Sequence, residues 1–144
     1  MKKELQKFGT YLRAHGLKLT RTRETIFREI FTRQSLHPNA EEIYQMLMAH
    51  KKQVSLATIY RTLNLLVKSG LVSSIDLGED HSHFEPEGGL AAHGHLICLS
   101  CGKVLEFSQA EIQAAIDRIG REKGYRLDKF SLQVFGFCRD CGKK

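Results

Sequence analysis

Apolar residues recur every three or four positions through the first half of the chain, then every second position in the stretch that follows. Ile26, Phe27, Ile30 and Phe31 form one helical stripe, with Thr20 placed to cap its helix. Pro38-Asn39 starts another helix, in which Asn39 and Glu42 have the spacing of a capping box and Ile43 and Leu47 face inward. A third runs from Ser55 to Lys68, where Ser69-Gly70 stops it. From Leu71 the period drops to two. Leu71–Leu77, a Gly78-Glu79-Asp80 turn and His81–Glu85 predict a β-hairpin. Three helices and then a hairpin is the order of a winged helix-turn-helix domain. Ahead of them, Met1-Lys2-Lys3-Glu4 opens a charged, helix-like stretch, not a signal peptide, and the expected compartment is the cytoplasm.

After Glu85 the pattern restarts. Pro86-Glu87-Gly88-Gly89 has the composition of a hinge. His93–Cys98 and Lys103–Phe107 predict paired strands. Ser108 heads a helix in S-Q-A-E form with Ile112, Ala115, Ile116 and Ile119 as its buried stripe, and Tyr125–Phe137 fits a last strand. The expected class is α+β: a winged helix over 1–85, a hinge over 86–92 and a second, α/β domain over 93–144.

Composition sharpens this division. The 144 residues are 42% hydrophobic and 26% charged, and no apolar run approaches membrane-spanning length. Residues 1–78 hold 13 Lys+Arg against 6 Asp+Glu, whereas residues 79–144 hold 9 against 10. All the excess positive charge lies in the half that reads as a winged helix, which is the electrostatic footprint of a nucleic-acid-binding module. On the Ser55–Lys68 helix, Leu56, Ile59, Leu63, Leu66 and Val67 fall on one side. Ala57, Arg61, Asn64 and Lys68 cluster opposite, with Tyr60 at the flank. Arg can bond guanine bidentately, Asn can bond adenine and Lys can hold phosphate, so this face suits a major groove.

The four cysteines form two matched pairs, Cys98 and Cys101 in C-L-S-C-G-K and Cys138 and Cys141 in C-R-D-C-G-K. A C-x-x-C turn delivers two thiolates to one ion, and two such turns complete a tetrahedral Zn²⁺ cage. The glycine after each second cysteine lets the backbone curl around the metal. Disulfides are disfavoured in a reducing compartment, and a thioredoxin-like redox centre would need only one pair. The 36 residues between Cys101 and Cys138 leave room for a strand, a helix and another strand. The metal would then clip the end of a small domain to its beginning.

A second set has different chemistry. His93 and His95, two apart on a strand, project from one face, and Glu106 lies on the neighbouring strand. His37 and Glu85 can approach from the other domain. Imidazoles and carboxylates make a harder site than Cys₄, suited to Fe²⁺ or Mn²⁺ and able to take Zn²⁺.

The run H-G-H-L-I-C-L-S-C-G-K-V-L-E-F closely resembles the signature of the ferric-uptake-regulator family of metal-dependent bacterial repressors. L-A-T-I-Y-R-T-L is similar to that family's recognition helix, and H-P-N-A-E-E-I-Y to the helix before it; the likeness spans about Leu17 to Cys141. The resemblance implies a homodimer of winged-helix domains hinged to a dimerisation domain, binding double-stranded operator DNA, with further association of dimers on DNA left open. It implies structural Zn²⁺ at Cys98, Cys101, Cys138 and Cys141. It implies a regulatory Fe²⁺ or Mn²⁺ at His37, Glu85, His93, His95 and Glu106. Tyr60 and Arg61 are implied as base contacts, with Arg23 and Lys18 near the backbone or minor groove.

The chain departs from the family at a further metal site built from a His-x-Asp pair, a glutamate and a late histidine. The matching positions are Ala92, Gly94, Gln113 and Phe130, none a good ligand, so two metal sites are expected. The peroxide-sensing branch also lacks that site, but it has aspartates where this chain has Glu85 and Glu106, and Arg61 suits the iron branch. A zinc sensor would bring a cysteine to the regulatory site, and all four are committed. Iron sensing is therefore the expectation, with peroxide sensing second. Outside the family, a zinc hydrolase would use His93, His95 and a glutamate with an open position for water; no H-E-x-x-H or nucleophile motif supports an enzyme. A zinc-ribbon adaptor would leave the basic half unexplained.

Overall fold

A computed structural model describes residues 1–32, 37–76, 80–87, 93–128 and 130–142, with residue 111 described in its backbone only. Two compact units follow one another along the chain, Met1–Gly89 and Leu90–Lys144. The expected hinge lies largely outside the described residues.

The first unit contains α1 (Lys2–Ala14), α2 (Arg21–Thr32), α3 (Ala40–Ala49), α4 (Leu56–Lys68), β1 (Val72–Asp76) and β2 (Ser82–Pro86). Local signals set the boundaries where the sequence puts them. Arg23 N donates to Thr20 Oγ1 ahead of α2. Asn39 and Glu42 form both bonds of the capping box that starts α3. Ser55 accepts from Thr58 N at the start of α4, and Gly70, at φ 68°, turns the chain out of that helix. The core is continuous: Ile26, Phe27, Ile30, Ile43, Leu47, Ile59, Leu63 and Leu66 are all at 0–1% exposure. Each such side chain contributes about 1.5–3 kcal/mol by leaving water.

One expectation is extended and one corrected here. The helix-like opening stretch forms a fourth helix of this unit, α1, whose Phe8 and Leu12 are fully buried and whose Phe8 ring stacks on Phe27. It packs because Leu5, Phe8 and Leu12 make an apolar stripe behind the charges. On α4, Leu56 and Val67 are only half-buried, and Thr62 takes a core position instead. Its hydroxyl can be buried because it donates to the Thr58 carbonyl at 2.8 Å.

The hairpin β1–β2 is antiparallel, with Ile75 opposite His83 and Ser73 opposite Glu85; residues 77–79 of its turn lie outside the described residues. Strand β2 also reaches the segment before α3: Phe84 N donates to the Pro38 carbonyl, and Asn39 and His83 form an isolated antiparallel bridge.

The second unit contains β3 (His93–Cys98), β4 (Val104–Ser108), α5 (Ala110–Glu122) and β5 (Gln133–Gly136). Its sheet runs β4-β3-β5, antiparallel between β3 and β4 and parallel between β3 and β5. The last strand is much shorter than Tyr125–Phe137: among the described residues β5 pairs with His95–Cys98 of β3 alone. Ser108 belongs to β4, opposite His93, and Gln109 stands at the N-cap, its side-chain amide turned to the His93 carbonyl. The expected stripe on α5 is only half-buried at Ile112, Ala115 and Ile116, and Ile119 is 50% exposed. This unit has little apolar interior. Ile97 and Cys98 are buried, while Leu105, Leu96 and Val134, register partners in one row across three strands, are 41–53% exposed.

Candidate metal and DNA-binding sites

The parallel pairing of β3 and β5 sets the two cysteine turns side by side, since Cys98 ends β3 and Cys138 follows β5, with Leu99 N bonded to the Gly136 carbonyl. Each turn closes on itself: Gly102 N donates to the Cys98 carbonyl and Gly142 N to that of Cys138. Gly102 does so at φ 69°, a conformation that a Cβ would strain. Sulfurs of Cys98, Cys101, Cys138 and Cys141 lie within 4.8 Å of one another. Cys101 and Cys138 sulfurs are 3.8 Å apart, and Zn–S bonds of about 2.3 Å in a tetrahedron require nearly that spacing. A disulfide would require about 2.05 Å, and all four cysteines are free thiols.

The electrostatics fit a cation as well. Backbone N–H groups of Cys138 and Cys101 lead in pulling the Cys98 thiol down to about 6. At Cys141 a hydrogen bond with Ser100 pulls down, but hydrogen bonds with Cys138 and Cys101, with burial, outweigh it and push the thiol up to about 12. Crowded thiols oppose one another's ionisation, and a central divalent cation removes that opposition.

The five residues expected at a harder site lie in two groups, one in each unit. In the first unit His37 Nδ1 is 3.3 Å from Glu85 Oε2, with His37 buried. His37 adopts φ 39°, on the left-handed side of the map; for a residue with a Cβ such a conformation costs on the order of 1–3 kcal/mol. In the second unit His95 is opposite Glu106, so both project from one face of the sheet, together with His93. The His93 and His95 rings meet edge to face, centroids 4.9 Å apart. Imidazole nitrogens with carboxylate oxygens suit Fe²⁺, Mn²⁺ or Zn²⁺. At the positions matched to the further family site, a Cβ on Gly94 would fall 2.5 Å from the Phe107 ring, and Gln113 is bonded to Asp117. Ala92 lies outside the described residues.

On α4, Ala57, Tyr60, Arg61, Asn64 and Lys68 are all exposed, as a groove-reading face requires. The hydroxyl of Tyr60 is engaged by Glu41. Lys18 is exposed, whereas Arg23 is half-buried and donates to the Lys18 carbonyl at 2.5 Å. Arg23 thus holds the Lys18 loop as much as it offers charge outward. Sequence reasoning passed over an open cavity of about 440 Å³ lined by Arg21, Arg28, Lys51 and Lys52, among others. The signal was the Lys51-Lys52 pair just ahead of Ser55. It also passed over Glu41 and His83, whose contacts no spacing reveals.

A winged helix with an exposed polar recognition face, followed by an α/β unit closed by four thiols, defines a metal-responsive DNA-binding regulator. The chain belongs to the ferric uptake regulator family, whose model matches residues 14–135. It is 39% identical over 134 residues to the ferric uptake regulation protein of Synechococcus elongatus, covering 90% of this chain and 89% of that one. Among solved structures, a ferric uptake regulator of Pseudomonas aeruginosa determined with manganese is similar at TM-score 0.79 and 34% identity, covering 90% of this chain and 96% of that one. The Helicobacter pylori regulator, described as having three functional metal-binding sites, is similar at TM-score 0.84 and 26% identity, covering 99% and 94%. Proteins of this family are transcription regulators and not enzymes, which sets aside the hydrolase and adaptor readings. Among the described residues no helix is long and apolar enough to cross a membrane.

Proposed function

We propose that the chain is an iron-sensing repressor of the cytoplasm that binds operator DNA as a homodimer when its regulatory metal is bound. The observation that carries this reading is the matched chemistry of the two groups: His37 with Glu85 in one unit, His93 and His95 with Glu106 in the other. All five would hold one Fe²⁺ or Mn²⁺, which supplies a hard, high-coordinate centre. Residues from both units on one ion would favour a single relative orientation of those units, by as much as the affinity differs between orientations. Cys98, Cys101, Cys138 and Cys141 would hold Zn²⁺ permanently. The filled space beside Gly94 supports two metal sites in this chain.

The exposed Leu105–Leu96–Val134 row and the sparse interior of the second unit support dimerisation there, because a second copy would cover apolar surface the chain leaves in water. A dimer would present two α4 helices to major grooves about 34–36 Å apart. On each, Tyr60, Arg61 and Asn64 would read bases, Lys68 would hold phosphate, and Lys18, with Arg23 behind it, would flank.

The test is operator affinity of zinc-loaded protein, anaerobically and at fixed salt, with and without Fe²⁺ or Mn²⁺. Metal is expected to tighten operator binding and not random-DNA binding. Operator binding equally tight without metal refutes the switch. Loss of operator binding by the iron-loaded form at low peroxide would favour the peroxide-sensing branch, to which the absence of the further site also points.

A further inference from the structure

We propose that His83 is a positioning residue of the regulatory site: from strand β2 it holds His37 in the backbone conformation that presents its imidazole to the metal. The inference rests on the assignment of His37 as a metal ligand.

His37 needs such a restraint. Its φ of 39° is disfavoured for any residue with a Cβ, and Pro38 next to it narrows the choice further. Downstream the restraint is clear, since Asn39 is fixed as the N-cap of α3. At His37 itself the restraint comes from the wing. His83 Nδ1 lies 2.6 Å from the His37 carbonyl oxygen. A carbonyl carries no proton, so Nδ1–H is the donor. His83 is 8% exposed and His37 5%, so the bond between them is sheltered from water, where losing a donor costs more than at the surface. Phe84 N adds a bond to the Pro38 carbonyl at 3.1 Å, and the Asn39–His83 bridge completes a short extension of the hairpin onto this segment.

The same strand also meets the His37 side chain. His83 and Glu85 are two apart on β2, so they project from one face, and Glu85 Oε2 is 3.3 Å from His37 Nδ1. One strand therefore approaches His37 twice, bonding its carbonyl through His83 and placing Glu85 beside its ring. His83 itself is absent from the proposed ligand set. Its ring packs against His81, centroids 5.0 Å apart, and its polar edge goes to the backbone of a ligand, so it acts on the backbone that aims the imidazole, whereas the usual outer partner bonds the ligand ring itself.

The experiment measures Mn²⁺ affinity and the visible spectrum with Co²⁺ in full-length, zinc-loaded protein. It compares wild type, His83→Val, His83→Asn and His37→Ala. Valine suits a strand and fills the space but cannot donate. Asparagine can place an N–H near the position of Nδ1. His83→Val is expected to weaken Mn²⁺ binding about 10–100-fold and to alter the Co²⁺ spectrum, with zinc content unchanged. His83→Asn is expected to recover most of the affinity at a similar unfolding temperature, a rescue that a packing role would not give. Should His83→Val fail to fold, His83→Gln replaces it, since glutamine puts its amide at the far ring position. Wild-type affinity and spectrum in the non-donating variant overturn the proposal, and so does an asparagine variant as weak as that variant. His37→Ala separates the two failures. Unchanged affinity there overturns the ligand assignment and the inference with it; lowered affinity there with an unaffected His83→Val overturns the positioning alone.

Discussion

The phenol of Tyr60, on the exposed face of α4, donates to Glu41 Oε1 on α3 at 2.6 Å. Because of this bond the Glu41 carboxyl sits below its ordinary 4.5 and the Tyr60 phenol above its ordinary 10.0. A group lowered in the folded state keeps its stabilisation above its unfolded value and loses it as the pH falls through the lower, folded one. Tyr60 therefore stays fixed between pH 7 and pH 5. Glu41→Ala should release the ring and weaken operator binding by about 0.5–1.5 kcal/mol, while random DNA, which only feels the loss of a negative charge, binds as well or better. Glu41→Gln keeps an acceptor and should stay near wild type. Competition between operator and random DNA at fixed salt checks this, and equal changes on both would remove Glu41 from base reading.

Zinc removal should dismantle the second unit and leave the first. The first has a continuous apolar core from Phe8 to Phe84, while the second buries little beyond Ile97 and Cys98. In small zinc domains roughly 10–16 kcal/mol of apparent metal binding is coupled to folding. Cys138→Ser should lose zinc and the dimer together, yet keep a cooperative transition from its helical half. Zinc analysis, sedimentation and circular dichroism on one preparation test it. A folded, zinc-free dimer would show that the cage is dispensable.

Base readers and phosphate holders should separate by salt. Arg61 is exposed on α4, and its loss should cost about 1–3 kcal/mol on operator with little change on random DNA. Lys51 and Lys52 line the basic cavity with Arg21. Lys51→Ala with Lys52→Ala should weaken every sequence alike and flatten the slope of log affinity against log salt by about one per lysine. An unchanged slope would leave that cavity outside the DNA footprint.

The elements that local chemistry dictates were legible in the sequence. Thr20, Asn39, Ser55 and Gly70 mark helix ends through bonds made within a few residues, and the two C-x-x-C-G-K turns announce their own geometry. What could not be read depends on distant partners. Glu41 meets Tyr60 across 19 residues and His83 meets His37 across 46, and no periodicity encodes either. The stripe on α5 was legible as a pattern, but a pattern does not say what covers it, and within this unit Ile119 stays half exposed. The Phe107 ring over Gly94 is the converse case. A poor ligand was readable at position 94, while the ring that fills its place was not.

The regulatory reading is tested most directly at His93. Its ring shares a sheet face with His95 and Glu106, away from the cysteine cage at the far end of β3. His93→Ala should therefore keep its zinc and its dimer. It should bind operator as wild type does without Fe²⁺ or Mn²⁺, and gain little when either is added. Linkage demands the reciprocal effect: operator DNA must tighten Mn²⁺ binding to wild type by the same factor by which Mn²⁺ tightens operator binding. Measuring both affinities closes that cycle. If operator DNA leaves Mn²⁺ affinity unchanged, the metal and the recognition helices are not coupled, and repression by this chain must be switched by something else.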